Sequence, residues 1–564
     1  MNLSRKRDNA KLREISVGAS AGRDPDRGPP KYFFAYLRGL AFSRKVGGML
    51  LAALLAALPS RGLAAQTITA VEIERHDVFT GDVARTFYGR IANTLHIKTQ
   101  DAAVRREILL HPGQPYDSAL AAEGARNLRR LGVFRQVRVD TVTTDSGFVL
   151  RYITDDGWST KADFRFGSTG SEVTWTLGAY EDNILGTAGQ LAFEHRKTPD
   201  RSSNTFLFQR SRLFANKVFL RTEYVNKSDG WVALGQTGVP WLSAQSHWRA
   251  FVAAYARDER VLRFRGGGTE AVDSVRRVQT IVRGDVGWAP TADPRHYLRL
   301  GLAAQVRRDD ITPWAGPDTV GRSVSGDLLG WTELSRVRFL VLQGFRTFVQ
   351  QEDIDLSYTA RFGVAVAPAA WGYAQTGIGP LVALHGGEPL GANAFLTADL
   401  RHNSLYTSGG LDSGTTQIGS TLGWVGGRRH VFVAHAEAGW KEGLAPGDEF
   451  DLGLGVGPRA FRGHAFTGDR SFFLTTEYRY TINADLWGLM GLGVATFVDH
   501  GGAWFKGDPG RTGTDLGVGL RIGPSRATSL SVLRMDLARR FATDQQPAGW
   551  VFVVGKGLPF QDLR

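Results

Sequence analysis

YLRLGLAAQV, residues 297–306, sets Leu298, Leu300, Leu302, Ala304 and Val306 at every second position, with Arg299, Gly301, Ala303 and Gln305 between them. Successive side chains of a strand point to opposite faces, so this segment reads as a strand with one apolar and one polar side. The same period returns along the chain. ADFRFG sets Phe164 and Phe166 against Asp163, Arg165 and Gly167, and SEVTWTLGA aligns Val173, Trp175 and Leu177. FFLTTEYRY sets Phe472, Leu474, Tyr478 and Tyr480 against Glu477 and Arg479; LRMDLA sets Leu533, Met535 and Leu537 against Arg534 and Asp536. Strands of this kind, about 10 residues long, are the signature of a transmembrane β-barrel. Tyr and Trp near the strand ends suit the membrane interfaces. A soluble sandwich or propeller would show the same period, but the paired charges and glycines of the polar faces fit a wet lumen better. Residues 158–564 are therefore predicted to form an all-β transmembrane barrel. At roughly 25 residues per strand and loop it would have about 16 antiparallel strands.

The rest of the chain narrows the class. The sequence has 564 residues, 42% of them hydrophobic, and no apolar run long enough for a membrane-spanning helix. The longest, VGGMLLAALLAALP at 46–59, follows Arg44 and Lys45 and precedes SRGLAAQ. A basic stretch, a short apolar core and small residues read as a secretory signal peptide, with cleavage after Ala64 or Ala65. Residues 1–65 are assigned to this leader. They hold 12 Lys and Arg against 4 acidic residues, leaving 56 against 51 of the formal +13 to the remainder. So small a surplus argues against a nucleic-acid partner. With no cysteine there is neither a disulfide framework nor a thiolate metal site. The 12 histidines show no ligand spacing, and no nucleophile elbow, phosphate loop or dinucleotide fingerprint is present. No catalytic residue, metal or cofactor is expected, and no enzyme.

Residues 66–157 have a different texture. TITAVEIER reads as a strand. TQDAAVRREILL reads as a helix with Thr99 as N-cap, and SALAAEGARNLRRLG as a second helix stopped by Gly132. VFRQVRVDTV and GFVLRYIT read as two further strands. The order β-α-α-β-β predicts a small α+β domain whose sheet edges could recruit an extended peptide.

One segment near the C-terminus raises a specific question. In LGLGVGPRAFRG, Leu452, Leu454 and Val456 alternate with Gly453, Gly455 and Gly457. Read as a barrel strand, it would turn its glycines to the lumen, as would Gly491, Gly493 and Gly501 in a later strand. Glycine weakens a strand, and close approach of another backbone is a common reason to keep it. A loop starting at Pro458 could fold into that space and place Arg462 against Glu477 and Asp499, both on the inward phase. Arginine's planar fork suits a buried carboxylate. An exposed loop arginine, with the glycines serving curvature alone, fits the pattern equally.

These segments together resemble the BamA/TamA superfamily of outer-membrane assembly factors. AFRGH, with Phe461, Arg462 and Gly463, resembles the VRGF/Y loop motif of that family. FVDHGGAW, with Phe497, Asp499 and Gly501, resembles its FxDxG strand. GVGLRIG with LRMDLA resembles its penultimate strands, and EDNILGTAGQL its early hairpin. TQDAAVRREILLHPGQPYD followed by NLRRLGVFRQVRV resembles a POTRA domain, one copy at 66–157. The sequence departs from the family at His464, where an aromatic is usual, at Phe461, and in the tail QDLR after the last strand. The resemblance implies a bacterial outer-membrane protein with its POTRA domain in the periplasm. It would insert client proteins, with periplasmic chaperones or accessory subunits and the bilayer as partners. The seam between first and last strands, at Phe164 and Phe166 against Phe552, Gly555, Gly557 and Phe560, would open sideways to template client strands. A two-partner-type secretion translocator and a passive porin or surface antigen are the alternatives.

Overall fold

The computed structural model describes residues 66–560, except 146, 170–171, 214–216, 269, 315–323, 454–455 and 529–531. The leader and Gly455 thus lie outside the described residues.

The N-terminal lobe is built on a three-stranded sheet in the order β1-β3-β2. β1 (Ile68–His76) runs parallel to β3 (Gly147–Asp156), and β2 (Phe134–Thr144) runs antiparallel to β3. Four helices connect β1 to β2: α1 (Gly81–Arg85), α2 (Phe87–Leu95), α3 (Asp101–Arg105) and α4 (Ser118–Arg130). The α3 and α4 segments are the two helices read from the sequence, with two differences. α3 ends at Arg105, short of the end of the TQDAAVRREILL segment. Thr99 does not cap α3; it is buried and donates its N–H and hydroxyl to Asp156, at 2.7 and 2.9 Å. Asp117 caps α4 by accepting from Ala119 N, and Gly132 leaves the helix with φ +73°. Ile68, Val104, Ile108, Leu128, Leu150 and Tyr152 form the lobe's core.

Among the described residues twenty antiparallel strands form the barrel, from Thr160–Thr169 to Gly549–Lys556, and the last lies beside the first to close it. The expectation of about 16 fails because the spacing assumed for it is too generous near the start of the wall. Six strands fit between Thr160 and Val239, most of them 9 or 10 residues long and joined by short turns. Longer strands follow, up to 20 residues at Asp273–Ala292. The alternation itself is as read. Leu302 is 65% exposed and its neighbour Ala303 is buried; on the same strand Arg299 is 6% exposed. Phe164, Leu177, Phe206, Val306, Leu474 and Leu537 lie on the outer surface, and Trp248 and Trp288 stand opposite each other on it. This outward apolar band is what a bilayer requires of the wall.

Two hairpins sit apart from the wall. One pairs Phe339–Gln343 with Gln351–Asp355; the other pairs Phe450–Leu452 with Phe466–Gly468. The first follows a strand that descends toward the lobe, the second a strand that ascends away from it, so they enter from opposite ends. The lobe is clamped to its end of the barrel by Arg129–Asp353, Arg212–Glu107 and Arg295–Asp117, each a two-pronged contact. Glu123 accepts from Ala244 N at 2.6 Å in the same junction, where burial holds its carboxyl above the usual range.

Candidate functional site

The described residues of LGLGVG, which are Leu452, Gly453, Val456 and Gly457, do not belong to a barrel strand. Leu452 ends the short pair inside the loop and is buried against Phe461, Ala465, Phe466 and Ala503. Gly453 and Gly457 have φ of +129° and +81°. A Cβ on Gly453 would lie 1.9 Å from the Arg462 carbonyl oxygen. These glycines serve a tight loop fold and are not wall positions cleared for it.

The loop delivers Arg459 to the lumen, three residues before the arginine singled out from the sequence. Arg459 is fully buried. Its Nε and Nη2 donate to the two carboxylate oxygens of Asp499 at 2.6 and 3.2 Å. Its Nη1 reaches Glu477 at 3.0 Å and Asp536 at 3.2 Å. The guanidinium lies 3.7 Å from the centre of the Phe497 ring, a cation–π contact. Ala460 N donates to Asp515 at 3.0 Å, and Thr475 Oγ1 donates to Asp499 at 2.6 Å.

Strand register explains how the acceptors converge. Thr475 pairs with Asp499 and Asp499 with Asp515, while Asp536 lies opposite Gly519, four residues along from Asp515; all are inward positions, and the acceptors of consecutive strands converge on the side chain of Arg459. Arg521 completes the cluster, reaching Glu477 at 2.8 Å and Asp536 at 2.5 Å. Arg479 approaches Glu477 at 3.4 Å and Arg534 approaches Asp536 at 3.8 Å. Four arginines thus face four carboxylates, all nearly inaccessible to solvent. Such a cluster is tolerable when every charge is paired and hydrogen-bonded, and costly when one is removed.

Glu477 and Asp499 therefore receive an arginine, but not Arg462. Arg462 is half-buried, donates its N–H to Gln546 at 3.4 Å and accepts from Ala465 N at 3.3 Å. The reason lies in Phe461, whose ring fills the space left by Gly513, where a Cβ would lie 2.4 Å away. With that ring anchored, the next residue points elsewhere. A signal was present: Arg459-Ala460-Phe461 has the arginine, small residue, aromatic order of the VRGF/Y motif, with alanine for glycine. The frame Phe461-Arg462-Gly463 competes with it because it contains the literal Arg-Gly pair. Gly463 instead donates its N–H to Glu172, at 3.0 Å.

The wall glycines have other occupants as well. A Cβ on Gly491 would lie 2.1 Å from the ring of Phe348, and Gly493 and Gly523 face the same ring at 3.4 and 3.2 Å. Phe348 belongs to the hairpin from the lobe end, so these glycines admit that hairpin and not the loop. Gly519 and Gly555 make room for Asp536 and Arg534. Gly501 meets its neighbouring strand: its Cβ would lie 2.6 Å from Phe472 O.

At the seam the last strand has 8 residues against 10 in the first. Phe164, Phe166 and Phe552 point outward. Lys556 pairs with Asp163 across the junction. A cavity of about 230 Å³ opens there, lined by Phe166, Gly167, Arg196, Val554 and Gly555 among others. Gly557, at φ +65°, turns the chain inward. Phe560 consequently leaves the seam; it is buried in the lumen and stacks on His435 at 3.8 Å. Proline at 559 cannot donate to a ladder, which fits the strand ending before it.

His464 holds the outer part of the loop. Protonated, its ring donates from Nδ1 to Asp451 at 2.6 Å and from Nε2 to Asp200 at 3.0 Å, and it stacks on Phe264 with ring centres 3.5 Å apart. Burial opposes its protonation, but the hydrogen bonds with Asp200 and Asp451 outweigh it and its pKa is pushed up to about 9. Among the described residues no group of three His, Cys, Asp or Glu side chains is placed to hold a metal ion.

No protein-family model matches the chain. A protein named outer membrane protein assembly factor BamA, from Neorickettsia risticii (strain Illinois), is 28% identical over 119 residues, 21% of this chain and 16% of that protein. The match thus spans about a sixth of the relative's length. Among solved structures, BamA from Haemophilus ducreyi lacking POTRA domains 1–3 is similar at 12% identity over 86% of this chain and 84% of that one, TM-score 0.36. CdiB from Escherichia coli is similar at 11% identity over 89% and 92%, TM-score 0.43. The chain resembles outer-membrane assembly factors of the BamA/TamA type.

Proposed function

We propose, from that resemblance, that this barrel is an outer-membrane assembly factor that admits client β-strands through the seam between its first and last strands. The observation that carries the reading is the end of the last strand. It stops after 8 residues and turns inward at Gly557, leaving the longer first strand less fully paired. Unpaired backbone groups in hydrocarbon cost several kcal/mol each, so a client strand that satisfies them enters with a large driving force. The step is an exchange of hydrogen-bonded edges; no bond is made or broken, and no catalytic residue is needed.

The lobe is read as a single periplasmic POTRA domain at residues 66–157, and 158–564 as the barrel. The hairpin touches its β2 edge through Val137 N donating to the Gln351 side chain at 3.3 Å, and the β1 edge, paired at Ile68 with Gly113 and Gln114, is read as offering its remaining length to an extended client. The lumen favours sideways release over export through the pore. The loop with its charge cluster enters it from one end and the hairpin bearing Phe348 from the other, which also counts against a passive porin.

The test is a barrel locked shut. The chain has no native cysteine. Phe166→Cys with Val554→Cys, both lining the seam cavity, should abolish insertion of barrel clients into proteoliposomes when bridged by a short bis-thiol reagent. Reversal of the bridge should restore it. Full insertion by the bridged protein would end the lateral reading.

A further inference from the structure

We propose that α2 is a membrane-surface strap, seated in the lipid leaflet on the lobe side directly beneath the barrel seam. Its sequence, FYGRIANTL, places Phe87, Ile91 and Leu95 at successive i, i+4 positions with Tyr88 beside them. In a lobe this small such a face would normally be core. Instead Phe87 is 73% exposed and Leu95 68%, with Ile91 and Tyr88 also exposed. The opposite face is the one that packs: Gly89 is buried, and Asn93 donates to Phe79 O and accepts from Phe79 N.

The helix is fixed at both ends to the rim of the barrel. At its start Tyr88 donates its hydroxyl to the carbonyl of Trp487, in a lobe-end hairpin turn of the wall, and Val83 packs against Gly488. At its end His96 bonds Asp156 at 3.0 Å and lies against Trp158, just before the first barrel strand. Between these points runs the turn that precedes the penultimate strand, where Arg526 O accepts from Trp158 N at 2.7 Å. α2 therefore spans the rim from the turn at 487 to the start of strand one, which is where the seam ends.

The occupant follows from continuity with the lipid-facing wall. Trp487 and Leu185, on rim turns near the two ends of α2, are each 68% exposed, and Leu489 is exposed too. They extend the outward apolar band of the barrel onto the helix. Exposed Arg90 flanks the stripe, placed to reach lipid phosphates while the apolar face enters the acyl boundary; Arg85 beyond it pairs with Asp82 at 3.6 Å. The inference rests on the barrel spanning a membrane and not on the insertion reading, so the two fail separately.

Single cysteines at Phe87, Ile91 and Leu95, and at Thr143 on the far tip of β2 as control, would carry an environment-sensitive fluorophore. The protein would be reconstituted in phosphatidylethanolamine–phosphatidylglycerol vesicles containing lipids spin-labelled near the headgroup, with no client present. Quenching and a blue shift several-fold stronger at the three α2 sites than at Thr143 are expected. Heat-modifiability of each labelled barrel confirms that it is folded. Equal, water-like emission at all four sites would overturn the proposal. So would quenching that appears only after a client β-strand peptide is added, which would mark the stripe as a client site.

Discussion

The loop carrying Arg459 and the hairpin carrying Phe348 enter the same lumen from opposite ends and are held there by opposite chemistry. The loop is seated by charge: one guanidinium meets three carboxylates donated by neighbouring wall strands. The tip of the hairpin is seated by shape, while its base is tied to the lobe by the Arg129–Asp353 pair. Phe345 is buried against Phe395 with ring centres 5.1 Å apart, and Phe348 rests on glycines that offer no side chain to collide with. A charge cluster gives up much of its free energy when one member is lost, whereas an apolar contact over glycines is sensitive to added volume. The two plugs should therefore fail in different ways.

The largest effect is expected from Arg459→Ala. It leaves Glu477, Asp499 and Asp536 buried with reduced compensation, a loss of about 3–5 kcal/mol. The folded barrel should then shift to its unfolded gel mobility at a markedly lower temperature. Arg459→Lys should rescue partly, since a point charge cannot bridge both oxygens of Asp499 and reach Glu477 at once. Unchanged melting in both variants would mean that the loop is not seated by its charges.

Gly491→Ala tests the other plug. The new methyl would meet the Phe348 ring and cost about 1–3 kcal/mol through overpacking. Phe348→Ala in the same chain should recover most of that loss even though each single change destabilises. Additive losses in this double-mutant cycle would show that Phe348 does not sit against Gly491.

A smaller effect is expected from pH at the outer loop. The folded His464 pKa, about 9, lies above its ordinary value near 6.5. Its stabilisation is then fully present below about pH 6.5 and is lost as pH rises through about 9. Proteolysis of the loop in intact vesicles should accelerate over that window, and His464→Gln should flatten the profile. Smallest of all is Arg462→Ala, which should change stability by no more than about 0.5 kcal/mol. A loss there matching that of Arg459 would erase the distinction between the two arginines.

Much of the wall is legible in the sequence. A period of two survives in YLRLGLAAQV and FFLTTEYRY because lipid outside and polar lumen inside impose it on every strand. Glu477 and Asp499 are legible for the same reason, being polar residues on the inward phase. The two hairpins are not. LGLGVG alternates as a strand would, and alternation alone cannot tell a wall strand from a loop. Phe348 carries no mark of insertion, since its partners Gly491, Gly493 and Gly523 lie more than a hundred residues away. α2 also escapes the sequence reading, although its apolar stripe is regular, because the segment lies between β1 and the expected first helix.

By itself the sequence determined the class of wall, the inward and outward phase of its strands, and the small α+β lobe that precedes them, because these depend on local periodicity and on turn and cap residues. Only the tertiary structure decided that the strands number 20, that Arg459 and not Arg462 meets the carboxylates, and that Phe560 turns into the lumen. Each depends on register and on which distant backbone occupies a given space. A three-residue shift in a loop leaves composition and pattern unchanged while exchanging a buried arginine for a half-buried one.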